Sequence, residues 1–164
     1  MPTVVTVEEL LGQLPNLLEG MSRDRRCLVS VFEFPDHRYV QCWSGANGSV
    51  VAEVISNVNV GEWKALTKEQ ETALLAQRWS VPVQSTSPNW SKLAISNEEL
   101  VSMVGAISLA ITGVLEKSLG TPVRVHTFEL RPQKVHSSEE SAVEQSRHYF
   151  QRSLEDLERS ASGA

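Results

Sequence analysis

The side chains that could perform chemistry are scattered through this 164-residue chain. Its histidines, His37, His126, His136 and His148, stand in unrelated local contexts, and no HxxxH or CxxC spacing joins them. Because metal ligands usually recur at such short spacings, we expect no metal site. The sequence also lacks GxSxG, GxGxxG and the phosphate-binding GxxxxGK motif. We therefore predict no cofactor and no enzymatic activity.

The two cysteines, Cys27 and Cys42, fall among apolar residues in segments with strand character. Free cysteine often acts as a small buried hydrophobe, which is the role we expect for both. Arg26 beside Cys27 is the one neighbour that could stabilise a thiolate. A disulfide between paired strands is the alternative, less expected without a secretory signal.

Glu53 is a lone carboxylate in an otherwise apolar alternation, "SVVAEVISN". It could be a buried functional acid in the cleft of a small-ligand-binding or catalytic domain, which would require a deep pocket with converging polar groups. It could instead be exposed at a sheet edge or paired with an arginine such as Arg38. The sequence leaves these alternatives open.

The composition is that of an ordinary globular protein, with 41% hydrophobic and 21% charged residues. A net charge of −5 argues against a nucleic-acid partner. The N-terminus does not resemble a signal peptide, and the most apolar stretch, Leu100 to Leu115, is shorter than the roughly 20 residues that a bilayer requires. We expect a cytoplasmic protein without membrane contact.

Periodicity predicts an α+β fold. Three strand patterns, at 27–34, 38–43 and 49–57, are joined by short polar connections typical of an antiparallel meander. A later strand pattern follows at 121–130. The sheet, a three-strand meander plus at least one later strand, is expected to pack against helices.

Three helices are predicted around this sheet. Capping boxes start the first at Thr6 and the second at Thr67. Pro15 is expected to kink or split the first helix. The third is predicted from Ser96 to about Leu119, with Gly120 as its left-handed cap.

We predict two parts: an α+β domain over residues 1–132 and an acidic helical extension over residues 133–164. The extension carries a narrow apolar stripe: Val143, Phe150, Leu154 and Leu157. It could fold back on its own domain, dock on a partner or a second copy, or remain disordered.

The connector "RWSVPVQSTSPNW" places two tryptophans and two prolines between the second and third helices. Prolines limit the unfolded freedom of a loop, and an asparagine can hydrogen-bond its local backbone. We interpret the connector as a structural clasp across the sheet edge that holds the second helix. Its residues are Trp79, Pro82, Pro88, Asn89 and Trp90.

The successive segments "RYVQCW", "AEVISN", "LTKEQETALLAQRWSVP" and "SPNW" resemble the TY-Chap domains, actinobacterial relatives of type III secretion chaperones and YbjN-like proteins. The resemblance covers residues 6–130 in element order, and Arg78 stands where the usual motif has glycine. It implies a chaperone-like, partner-binding domain without enzymatic activity. Secretion chaperones of similar fold dimerise and hold an extended client over apolar surface.

Together these features predict a non-enzymatic, chaperone-like adaptor that binds a protein partner or client as a homodimer. Trp43 and the tail residues Phe150, Leu154 and Leu157 are the candidate contacts, because they are apolar without an evident place in the core. The alternatives are a small-ligand-binding or catalytic domain with a cleft near Glu53, and a regulator that acts through protein contacts.

Overall fold

The computed structural model describes residues 2–56, 65–83 and 88–130. In this part of the chain, six strands form one antiparallel sheet in the order β1-β6-β2-β3-β4-β5. The strands are β1 (Thr3–Thr6), β2 (Leu28–Glu33), β3 (Tyr39–Ser44), β4 (Val50–Val54), β5 (Trp90–Ala94) and β6 (Pro122–Glu129). The helices are α1 (Val7–Arg23), α2 (Lys68–Ala76) and α3 (Asn97–Leu109), and α3 continues into a π-helical turn at Ala110–Val114. The predicted α+β class is confirmed.

The meander β2–β3–β4 is built with two tight connections. His37 adopts a left-handed φ of 65° in the first, and Gly48 adopts a φ of 84° in the second. A Cβ on Gly48 would lie 3.1 Å from the carbonyl oxygen of Ser22, so glycine also permits this close approach to α1.

One face of the sheet packs against the helices. In α1, Leu10, Leu14 and Leu18 recur at the spacing of a buried helical stripe, and all are nearly inaccessible. They share one core with α3 and with every second residue of the central strands. The strand residues of this core are Phe32, Val40, Cys42, Val50, Ala52, Val54, Trp90, Ala94 and Val123.

The first helix begins as predicted but is not interrupted. The Thr6 hydroxyl accepts the Glu9 N–H at 3.1 Å, and the Glu9 carboxylate accepts the Thr6 N–H at 3.3 Å. Pro15 was expected to kink or split the helix, and the split does not occur, because α1 runs through Pro15 to Arg23. Pro15 lies on the exposed side, where the backbone group that loses its partner can be hydrated.

The third helix ends earlier than predicted. Ser96 caps its start by accepting the Glu99 N–H at 3.2 Å, but the helix and its π-helical turn stop at Val114 rather than at Leu119. Glu116, with a φ of 55°, supplies the left-handed residue expected at Gly120. The Lys117 ammonium then pairs with Asp36 in the β2–β3 connection, which fixes this end of the helix near the sheet.

Two strands were not predicted from the sequence, β1 and β5, and both are edge strands. Each is short, with four and five residues respectively. The later strand that was predicted, β6, lies between β1 and β2. Residues up to Glu129 form one compact unit, whereas the predicted boundary after Pro132 lies outside the described residues.

The connector after α2 contacts both the core and the β5 edge. Trp79 and Trp90 are 2% and 4% exposed and belong to the core, and Ser80 exchanges backbone hydrogen bonds with Ser91 at 2.8 and 3.2 Å. The Trp79 indole N–H has no acceptor among the described residues. Pro82 and Pro88 are half-buried. The clasp remains an interpretation of this placement.

Asn89 links the connector to the end of the meander. Its buried side chain accepts the Ser56 N–H at 3.2 Å and donates to the Tyr39 hydroxyl at 3.3 Å. The Ser56 hydroxyl in turn donates to the carbonyl of Pro88. These bonds fasten the chain just before β5 to the chain just after β4.

Both cysteines are free thiols. Cys42 is fully buried on the helix-covered face, and this burial raises the pKa of its thiol, which the Glu53 carboxylate raises further. Cys42 therefore stays protonated and packs as a hydrophobic side chain.

Replacing Pro15 with alanine should stabilise the protein, because the helix is already formed there and alanine restores an N–H donor. We expect Pro15→Ala to raise the free energy of unfolding by about 1–3 kcal/mol in urea titrations. Asn16→Ala, an exposed neighbour in the same helix, is the control and should gain no more than about 0.5 kcal/mol. Equal effects of the two variants would contradict this account of α1.

Removing the Asn89 side chain should destabilise the fold, since two buried hydrogen bonds disappear together. We expect Asn89→Ala to lower the free energy of unfolding by about 2 kcal/mol. Asn97→Ala, at the exposed start of α3, should change it by less than about 1 kcal/mol. A loss at Asn89 no larger than at Asn97 would show that the connector is not held by this side chain.

Candidate functional site

An apolar row crosses the second face of the sheet, opposite the core. The strand register places Phe128 of β6, Val29 of β2, Trp43 of β3, Val51 of β4 and Leu93 of β5 side by side. None of these five belongs to the core that the sheet forms with the helices. Directly opposed residues of antiparallel strands lie close enough for their side chains to interact. The five residues therefore form one continuous strip, which we call the apolar row.

From Val29 toward β5 the exposure of the apolar row increases, while Phe128 at its β6 end is half-buried. Val29 is 1% exposed, Trp43 and Val51 are half-buried, and Leu93 is 58% exposed. The end of the row with the largest exposure thus consists of Trp43, Val51 and Leu93, on β3, β4 and β5. Ile95, just beyond β5, is also exposed and extends the apolar surface.

A row of mixed polarity runs beside the apolar row, with Gln41 and Glu53 directly opposed at its centre. The Gln41 amide donates to the Glu53 carboxylate, and both side chains are buried, with 4% and 2% exposed. The Gln41 amide oxygen and the second carboxylate oxygen of Glu53 have no hydrogen-bond partner among the described residues. Arg38, the partner considered from the sequence, instead donates to the Ala65 carbonyl at 3.1 Å. The structure therefore places Glu53 in an amide–carboxylate pair inside the sheet.

A cavity of about 280 Å³ lies at the β5 edge, beside the exposed end of the apolar row. Its walls include Arg78, Ser80, Lys92, Leu93, Glu99 and Ser102. Leu93 belongs both to this cavity and to the apolar row, so the two features are continuous. Glu53 does not line it, and the hypothesis of a catalytic or ligand-binding cleft beside Glu53 gains nothing from this cavity.

The backbone at the end of α2 explains how Arg78 and Trp79 are placed. The Arg78 N–H donates to the Leu75 carbonyl at 3.0 Å, and the Trp79 N–H donates to the Leu74 carbonyl at 3.1 Å. This is the pattern of a Schellman motif, whose left-handed position is usually glycine. Arg78 occupies that position with a φ of 63°. Trp79 and Leu74, the two positions between which this motif usually has an apolar contact, both belong to the core.

Two cations face the cavity. The Lys92 ammonium lies 5.5 Å from the centroid of the Trp79 ring. At this distance the cation is attracted to the aromatic face by a cation–π interaction. Burial lowers the pKa of Lys92, and the nearby Arg78 guanidinium lowers it further. Neither cation forms an ion pair within the described residues.

The candidate contacts predicted from the sequence are only partly covered by the structure. Trp43 lies in the apolar row, whereas Phe150, Leu154 and Leu157 fall outside the described residues. Sequence reasoning missed the neighbours of Trp43 in the row and the cations of the cavity. The alternation that places Val51 beside Glu53 could have indicated one of them.

The described residues show neither a metal-binding cluster nor a membrane span. Within residues 2–56, 65–83 and 88–130, three or more histidine, cysteine, aspartate or glutamate side chains never gather at one point. None of the helices in these ranges is long and apolar enough to cross a bilayer.

Comparison with known proteins gives a match to a family model over residues 8–123, from α1 into β6. The model is TY-Chap3, described as T3SS (YopN, CesT) and YbjN peptide-binding chaperone 3. No curated protein and no solved structure shows a significant match. The matched segment includes α1, α2, α3 and strands β2 to β5, and it covers well over half of the sequence. The chain therefore belongs to the TY-Chap3 family of peptide-binding chaperones.

Proposed function

We propose that this protein is a non-enzymatic, chaperone-like adaptor that binds an extended segment of a protein client on the exposed end of the apolar row. The observation that carries the proposal is the alignment of Trp43, Val51 and Leu93 across three adjacent strands. The peptide-binding description of the family supports the same conclusion.

The dimensions of the apolar row suit an extended peptide. Adjacent strands lie about 4.8 Å apart, so Trp43 and Leu93, two strands apart, are separated by about 10 Å. Every second side chain of an extended peptide points to the same side, at intervals of about 7 Å. Two or three apolar side chains at alternate positions could therefore contact the row, each removing apolar area from water at about 25 cal/mol per Å².

Three finer points belong to the same proposal. A homodimer follows from the resemblance to dimeric secretion chaperones, with Phe150, Leu154 and Leu157 as the proposed contacts. A cytoplasmic location was expected from the sequence, and cell fractionation would test it. A regulator acting through protein contacts would use the same surface, and identification of the client would separate that role from a chaperone role.

Removing apolar side chains from the row should weaken peptide binding. The probe is a fluorescein-labelled, blocked peptide in which glutamine alternates with valine or leucine, followed by fluorescence anisotropy. Because truncation of a central apolar anchor commonly costs about 2 kcal/mol, we expect Leu93→Ser and Trp43→Ala each to weaken binding at least about tenfold.

Val4→Ser is the matched control for the peptide experiment. Val4 is 66% exposed and lies on the same face at the opposite edge of the sheet, in β1. Its replacement should leave the affinity within about twofold, as surface changes away from a contact usually do. Equal losses at Leu93 and Val4, or no loss at either, would exclude the apolar row as the binding site.

The homodimer can be tested on the tail. Light scattering after size-exclusion chromatography should give a dimer mass for the intact chain and a monomer mass for a chain cut after Pro132. Replacing Phe150, Leu154 and Leu157 together with serine should also give a monomer mass, since association relies on buried apolar area. Gln145→Ser combined with Gln151→Ser is the control. An unchanged mass after the cut would remove the tail from the proposal.

A further inference from the structure

The side chains that line the cavity at the β5 edge carry more positive than negative charge. Arg78 and Lys92 line it and make no ion pair within the described residues. Glu99 is the acidic side chain among the lining residues, and its carboxylate lies 3.1 Å from the Ser96 hydroxyl. Two cations and one carboxylate leave a net charge of +1, which one carboxylate from outside would neutralise.

Arg78 is also kept in a backbone conformation that favours glycine. At a φ of 63° the Cβ of any residue other than glycine is crowded, at a cost of roughly 1–2 kcal/mol. Strain of this kind persists where the surrounding structure fixes it, as also at His37 and Glu116, and it is often found at binding sites. The α2 end itself requires only the left-handed backbone, so the Schellman motif does not explain the guanidinium.

The other walls fit the same ligand. Ser80 and Ser102 also line the cavity, and serine hydroxyls can donate hydrogen bonds. Lys92 is held over the Trp79 ring, which restricts its movement before any ligand arrives. Leu93 connects the cavity to the apolar row. An apolar side chain seated against Leu93 would bring its sequence neighbours to the mouth of the cavity.

We propose that this cavity binds the carboxylate of an aspartate or glutamate in the client segment, next to the apolar residue that contacts Leu93. The inference rests on the proposed function and gives it a specificity: the client is an extended segment in which acidic and apolar residues adjoin. Arg78 is the principal ligand, because a guanidinium can donate two parallel hydrogen bonds to a carboxylate. A net charge of +1 suits a monoanionic carboxylate better than a phosphate dianion.

The test compares two forms of the alternating probe peptide, one with its inner glutamines and one with glutamates in their place. The intact wild-type chain should bind the acidic form about tenfold more tightly at low salt, as expected for a charge-assisted hydrogen bond. Arg78→Gly should abolish this preference while leaving binding of the glutamine peptide unchanged. Its thermal midpoint should be equal or higher, because glycine relieves the left-handed strain.

Two further variants keep the test specific. Lys92→Met retains the apolar stem beside Trp79 and should reduce the preference, whereas Lys68→Gln removes an exposed cation at the start of α2, away from the cavity, and should not. Independently of any peptide, titration with a blocked glutamate should shift the amide resonances of Ser80, Lys92 and Leu93 in the wild type but not in Arg78→Gly.

Equal binding of the two peptides would overturn acid recognition while leaving the proposed function intact. A preference for the acidic form that survives in both Arg78→Gly and Lys92→Met would also overturn it. A lower thermal midpoint for Arg78→Gly would show that the arginine is present for stability. Failure of both peptides to bind, together with unshifted resonances, would overturn this inference and the proposed function together.

Discussion

The register that joins β3, β4 and β5 is the constraint on which both faces of the sheet depend, the one that packs in the core and the one that carries the apolar row. Side chains alternate between faces, so a slip of one residue would move Cys42 and Ala52 out of the core and Gln41 and Glu53 into it. The directly opposed Gln41–Glu53 pair favours the observed register, because its hydrogen bond forms only when these two positions face each other. The same register places Trp43, Val51 and Leu93 in line.

Much of the fold could be predicted from local sequence, because the relevant interactions are local. The capping boxes at Thr6 and Thr67 join residues three positions apart, and the meander strands are long enough to show alternation. The uninterrupted passage of α1 through Pro15 could not be predicted, because tertiary burial of Leu14 and Leu18 outweighs a local helix breaker. Strand β5 was missed because Lys92 stands at a core-facing position, which breaks the expected pattern.

The sequence could predict a residue of the candidate site only where the pattern within a single strand was enough to identify it. Trp43 was chosen from its alternation within one strand, but its neighbours depend on pairing between strands that the sequence does not specify. For Arg78, the resemblance to the TY-Chap motif indicated a departure from glycine, but the sequence does not show the backbone angle that makes glycine usual there. Only the Schellman geometry at the end of α2 shows why glycine is usual: this position requires a left-handed backbone, which crowds the Cβ of other residues. Arg78 adopts that backbone conformation nevertheless.

The position of β6 has a consequence for how the chain acquires its structure. Strand β6 pairs with β1 on one side and β2 on the other, although it comes last of the six in the sequence. During synthesis β1 must therefore wait, without its sheet partner, until nearly all of the described chain has left the ribosome. Contacts between such distant residues form slowly because the loop that they close is long. The β2–β3–β4 hairpins should therefore be the early nucleus, and insertion of β6 should be the late, rate-limiting event.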